Sequence, residues 1–178
     1  MSKGIFRHLL NAIPGGKKIR RASVGSDRNG TDYWIDRDGL PSVSVDVKHR
    51  AYCPIEKFGT DDACIEVCSV YRGVGPPYDE ELFFKSPGWT LNSDKRTDLI
   101  VYTWPGSHKS LRYWILYFPF LCRAAIENWQ RWSNIYGLCS ADNPTYKTLS
   151  VYPPRPVIAD AMRHLVLGVI PRGVPNAT

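Results

Sequence analysis

The run Ser42-Val43-Ser44-Val45-Asp46-Val47-Lys48 alternates valine with polar residues, and no other stretch restricts so tightly what this chain can fold into. Successive side chains of a strand point to opposite faces, so Ser42, Ser44, Asp46 and Lys48 share one face while Val43, Val45 and Val47 share the other. Upstream, Thr31-Asp32-Tyr33-Trp34-Ile35-Asp36-Arg37 reads as a second strand, and Asp38-Gly39 between the two supplies the turn of a tight hairpin. Two carboxylates, Asp32 and Asp46, are thereby expected on neighbouring strands.

The remaining segments fill in a mixed architecture. Gly4 to Ile13 can form a short helix with Ile5, Leu9, Ala12 and Ile13 on one side, stopped by Pro14-Gly15-Gly16. The basic stretch that follows, with Lys17, Lys18, Arg20 and Arg21, reads as a loop, either solvated or contacting phosphate. Ala63 to Arg72 is an expected third strand followed by a Gly- and Pro-rich loop, whereas Glu81 to Arg96 shows no decisive pattern. Thr97 to Trp104 and the run from Ser110 are strand-like and are joined by Pro105-Gly106, which predicts another hairpin. A helix from Pro119 to Tyr136 should carry Leu121, Ala125, Trp129 and Trp132 as its apolar stripe and end at Gly137. The run Tyr146 to Pro154 suggests a late strand, and Pro156 to Gly168 a short helix. The expectation is an α/β fold in one domain over 1–170, with a mixed central sheet flanked by helices and a flexible tail over 171–178.

Charge narrows the partners. A formal charge of +6 favours polyanions, with DNA as the first candidate and RNA as an alternative. The five cysteines form no CxxC pair and have no histidine at ligand spacing, which speaks against structural zinc; Cys64 and Cys68 are expected as small buried residues. Reduced thiols and the lack of a secretory signal core fit a cytoplasmic protein, and no apolar run approaches the roughly 20 residues that cross a bilayer, so no membrane partner is expected. Nothing resembles a phosphate-binding glycine loop, a serine-hydrolase elbow or a zinc-protease helix.

The chemistry concentrates on the hairpin. Aspartate has poor strand propensity, so a carboxylate and a lysine set among three valines call for mutual pairing or a ligand. Asp32 and Asp46 together suit a hard cation, Mg²⁺ or alternatively Mn²⁺, with the Val47 carbonyl as a further oxygen. Lys48 would then orient the attacking water or stabilise charge on the phosphate. The plainer alternative is an ion pair between Asp46 and Lys48 on an exposed strand face, which contributes little stability. Lys17, Lys18, Arg20, Arg21, Arg50, Lys109 and Arg112 are the candidate contacts to nucleic acid.

The segment Gly30 to Arg50, GTDYWIDRDGLPSVSVDVKHR, resembles the core hairpin of the PD-(D/E)XK nuclease superfamily, in which an Asp near one strand is followed by Asp/Glu-x-Lys on the next. The resemblance implies a restriction-endonuclease-like or Holliday-junction-resolvase-like αβββαβ core, with Ala63 to Arg72 as its third strand. It also implies a Mg²⁺-dependent deoxyribonuclease of phage, mobile-element or repair type, leaving 5′-phosphate and 3′-hydroxyl ends and acting as a homodimer where two strands are cut. Asp32, Asp46 and Lys48 take the catalytic positions. Thr31 stands where the motif usually has proline, no glutamate precedes Glu56, and Asp36 remains an alternative first carboxylate. The competing function is a binding protein on the same fold that grips nucleic acid or inhibits another protein without cutting.

Overall fold

A computed structural model of the chain describes residues 3–28, 30–71, 80–106, 111–144 and 146–167. Lys109 and the tail expected over 171–178 lie outside the described residues. The protein is a mixed α/β structure in which the chain gathers into two compact units, one made of Met1–Cys53 and Asp94–Pro119, the other of Pro54–Ser93 and Phe120–Thr178.

The first unit holds helix α1 (Lys3–Ala12) and a five-stranded mixed sheet. Its strands are β1 (Gly16–Arg21), β2 (Tyr33–Arg37), β3 (Leu40–His49), β5 (Leu99–Pro105) and β6 (Leu111–Tyr117), in the order β1-β2-β3-β5-β6. The hairpin forms as its sequence predicts: β2 and β3 are antiparallel with Tyr33 opposite Val45, Trp34 opposite Ser44 and Ile35 opposite Val43. Gly39 sits at φ +64° in the turn, a conformation that a side chain would strain. The second predicted hairpin is also present, with β5 and β6 antiparallel from Leu99 opposite Tyr117 to Pro105 opposite Leu111.

Two expectations are corrected here. The basic segment is not a loop: Gly16–Arg21 is an edge strand, antiparallel to β2, with an irregularity between Gly16 and Lys18. A single apolar residue, Ile19, among four cations hides the strand pattern, yet cations suit an edge because they discourage pairing with another chain. The expected third strand forms as β4 (Ile65–Tyr71), but it joins a different sheet. The neighbour of β3 is instead β5, parallel to it from Val45 beside Leu99 to His49 beside Thr103.

Valine alternation decides where the first core lies. Val45, Ile35, Leu99 and Val101 face α1 and bury Leu9 against them, with Leu10, Ile13, Ile19, Tyr33, Val43, Val47 and Ile115 packed around. The opposite face of the same sheet therefore carries Ser44, Asp46 and Lys48 from β3, Ile100, Tyr102 and Trp104 from β5, and Arg112, Trp114 and Leu116 from β6.

The second unit contains a three-stranded antiparallel sheet ordered β4-β8-β7, with β7 at Cys139–Asp142 and β8 at Tyr146–Val151. Its helices are α3 (Pro54–Phe58), α4 (Glu80–Lys85), α5 (Phe118–Tyr136), which begins at the end of the first unit, and α6 (Arg155–Leu167); the short α2 (Val24–Arg28) belongs to the first unit. The α5 stripe is core as predicted, with Leu121, Ala125, Trp129 and Trp132 all buried. Trp129 stacks on Phe83 of α4 at 4.5 Å between ring centroids. Gly137 closes the helix with an N–H donated to the Ser133 carbonyl.

All five cysteines are free. Cys68 is fully buried and Cys64 half-buried. Burial, reinforced by the charge of Glu66, pushes the Cys68 thiol up to about 11, so it is a packing residue and not a nucleophile at neutral pH. Among the described residues no helix is long and apolar enough to cross a membrane.

Candidate active site

Asp32 directly precedes β2, and its place is fixed by backbone bonds on both sides: its N–H donates to the Val45 carbonyl at 2.9 Å, and its carbonyl accepts from Ala22 N–H at 2.8 Å. The Val47 N–H reaches the Asp32 carboxylate, and the Asp46 charge acts on it, so the two carboxylates meet at this corner of the hairpin. Like charges there are unfavourable, so a countercharge is required.

Two ammonium groups supply it. Lys48 Nζ lies 2.9 Å and Lys95 Nζ 2.6 Å from Asp46 Oδ2, whose side chain is only 4% exposed. Lys95 was not singled out by the sequence. It sits in the polar run Asn92-Ser93-Asp94-Lys95-Arg96, where the sequence shows no decisive pattern; its side chain is 8% exposed and its ammonium also lies 6.0 Å from the Phe118 ring centroid. Both contacts to Oδ2 are ion pairs by distance, so this buried oxygen is served by two ammonium groups at once.

Asp32 is held differently. The Val47 N–H donates to its Oδ2 at 2.7 Å. Burial, the largest influence, raises its carboxyl above the usual aspartate range; the Val47 bond opposes this, and the neighbouring Asp46 charge adds to it. Val45 bonds towards β2, and backbone groups two residues apart on a strand face the same edge, so the Val47 carbonyl is directed to the Asp32 side as well. Asp32, Asp46 and Val47 thus offer oxygens at one corner of the hairpin. Among the described residues no set of three or more His, Cys, Asp or Glu side chains converges as a metal cage.

The loop that delivers Lys95 is fastened on three sides. Thr31 Oγ1 donates to the Arg96 carbonyl at 3.0 Å, and Thr97 Oγ1 donates to the Gly30 carbonyl at 2.6 Å. Ser44 gives both its N–H and its hydroxyl to Asp98 Oδ2 at 2.7 Å, while the Asp98 N–H donates to Ser44 Oγ at 2.8 Å. These bonds cross-tie the start of β2, the middle of β3 and the approach to β5.

Asp36, the alternative first carboxylate, lies four residues further along β2, about 13 Å from Asp32 at strand spacing. It accepts from Arg20 Nε at 3.0 Å and Ser42 Oγ at 2.8 Å, and those bonds lower its carboxyl below the usual range. Asp32 is therefore the one that shares a place with Asp46. Glu66, on β4, is engaged by Ser69 Oγ and the Trp89 N–H within the second unit.

The candidate nucleic-acid contacts are spread across the sheet. Lys17 pairs with Asp38 at 2.8 Å, and Arg20 lies over the Trp34 ring at 5.4 Å from its centroid. Strand alternation puts Lys18 and Arg20, paired with Asp36 and Trp34, on the face that carries Asp46, and Arg21 on the other. Arg112 is exposed on β6 on the Asp46 face, with Nη1 4.0 Å from Cys53 Sγ. Arg50 stands over the Tyr52 ring at 5.4 Å, and its N–H donates to the Thr103 carbonyl at 2.8 Å. Four strand intervals, about 19 Å, separate β1 from β6. Lys18, Arg20 and Arg112 thus flank the carboxylate pair on the same sheet face.

Comparison with protein families, with curated proteins and with solved structures returned no match to this chain.

Proposed function

We propose that this protein is a metal-dependent nuclease that hydrolyses DNA phosphodiester bonds, with Asp32, Asp46 and Lys48 as its reacting constellation on a restriction-endonuclease-like core. The observation that carries the reading is the meeting of Asp32 and Asp46 at one corner of the hairpin, where the Val47 N–H bonds Asp32 and Lys48 pairs with Asp46. Within the first sheet, α1 followed by the antiparallel strands β1 to β3 and then β5 laid parallel to β3 supports the αβββαβ reading, with the short α2 between β1 and β2 and with α3, β4 and α4 between β3 and β5; β1 takes the place first expected of Ala63 to Arg72.

The residues fit a hard cation. Mg²⁺ is commonly held by one or two carboxylates and keeps several waters, so Asp32, Asp46 and the Val47 carbonyl form an adequate donor set. The buried Asp46 Oδ2, met by two cationic groups, is a further point of fit, since the place already holds positive charge. When bound, such a cation supplies charge neutralisation at the phosphate and a more acidic water. The protein's own groups do the rest. Lys48, a third exposed at its side chain, can place a positive charge against a non-bridging phosphate oxygen while Asp46 fixes its direction. Lys18, Arg20 and Arg112 provide cations on which a phosphate backbone could rest beside the carboxylates. A homodimer would present two such sites to the two strands of a duplex.

Cleavage of supercoiled plasmid, branched DNA, single-stranded DNA and RNA in Mg²⁺ or Mn²⁺ tests the reading. The wild type should cut DNA, and Asp46→Asn and Lys48→Ala should bind it without cutting. Wild type and both variants equally inert yet binding equally well would transfer the trio to a structural role and favour the binding-protein alternative.

A further inference from the structure

We propose that Lys95 is the resident counter-ion of this site: its ammonium neutralises Asp46 in the metal-free protein, and a divalent cation must displace it to bind. The inference rests on the cation-site reading above and adds a competitor that no motif contains.

Three observations carry it. Lys95 Nζ makes the shorter of the two ion pairs to Asp46 Oδ2, 2.6 Å against 2.9 Å for Lys48, and its side chain is the more buried, 8% exposed against 31%. A buried ammonium is costly unless paired, so this one is committed to the carboxylate in a way that the half-solvated Lys48 is not. The path to Asp46 is also built for it. Gly30, at φ +86°, leaves open the volume that Lys95 occupies: a Cβ there would overlap the ammonium and lie 2.6 Å from Cε. Finally, the reciprocal bonds Thr31 to Arg96 and Thr97 to Gly30 clamp the segments on either side, which fixes the lysine stem over its glycine.

The consequence follows from charge. An Asp46 carboxylate already served by an ammonium offers a cation less than a bare carboxylate would, since binding must first break the pair. Lys95 thereby lowers the affinity for the metal while stabilising the protein that lacks it. Once displaced, its positive charge remains beside the site, where an anionic phosphate could engage it. Lys95 is thus a positioning residue acting through Asp46.

Calorimetric titration of chelator-treated protein with MnCl₂ tests this, using wild type, Lys95→Met and Asp46→Asn, each checked for folding by circular dichroism. Lys95→Gln replaces Lys95→Met if the latter does not fold. The expected result is that removing Lys95 tightens Mn²⁺ binding about tenfold or more, as loss of a buried ion-pair competitor implies, while Asp46→Asn abolishes it. Unchanged or weaker binding in the Lys95 variant, with wild type binding and Asp46→Asn silent, overturns the counter-ion and leaves the cation site standing. Absence of binding in both wild type and the Lys95 variant removes the cation site and the counter-ion with it.

Discussion

Replacing Asp46 by Asn should cost far more stability than a near-isosteric change on a strand normally does. The substitution keeps the shape and removes the charge that Lys95, with its side chain 8% exposed, faces at 2.6 Å. Lys48, at 31% exposure, can turn outward, so the loss falls chiefly on the Lys95 pair. Breaking a buried pair from one side costs about 3 kcal/mol or more, and the lower figure applies because only one of the two pairs is buried on both sides. Chemical denaturation of Asp46→Asn, Lys95→Met and the double variant forms the decisive cycle. The two losses should not add: the double variant should recover roughly 1 to 2 kcal/mol relative to Asp46→Asn, since no charge is then buried alone. Additive losses, or an Asp46→Asn protein within about 0.5 kcal/mol of wild type, the range of an ordinary surface change, would refute the buried-pair reasoning.

Three further outcomes follow from the same geometry. Asp32→Asn should raise stability at neutral pH in chelator while abolishing cleavage: the folded-state carboxyl is raised above its ordinary 3.8, so the stability it contributes is present below that value and lost as pH rises through the raised one. Melting temperatures across pH 3 to 8 (about that span) check this, and an advantage that grows towards acid would contradict it. Gly30→Ala should destabilise by about 1 to 3 kcal/mol through its positive φ and should also expel Lys95 from the site, read as increased reactivity of that amine towards an acylating reagent in peptide mapping. Arg112→Ala and Arg20→Ala should each reduce the salt dependence of DNA binding by about one counter-ion without altering sequence preference, as measured by fluorescence anisotropy at several salt concentrations.

The parts of the fold legible in the sequence are those where local pattern and tertiary role agree. The Ser42 to Lys48 alternation and the Asp38-Gly39 turn specify the hairpin, and the Leu121 to Trp132 stripe specifies α5. β1 escaped because an edge strand buries little, so Ile19 alone marks its inner face among cations. The partner of β3 escaped because nothing local to Ala63 to Arg72 records which sheet it will join; its apolar run pairs with β8 and not with the hairpin. In the site, the hairpin makes Asp32 and Asp46 legible on neighbouring strands, but their meeting depends on an irregularity between Ile35 and Arg37 that the turn does not specify. Lys95 could not be read in advance, since its burial depends on Gly30 and Thr31 meeting its loop from a distant part of the chain, where Thr97 fastens them.

The most direct measurement is anomalous diffraction from crystals soaked in MnCl₂. One strong peak should lie between the Asp32 and Asp46 carboxylates within reach of the Val47 carbonyl, with Lys95 Nζ moved off Asp46 Oδ2. A fully soaked crystal with no peak there and Lys95 still paired to Asp46 would contradict the metal-dependent account and leave the trio as a buried ion-pair network.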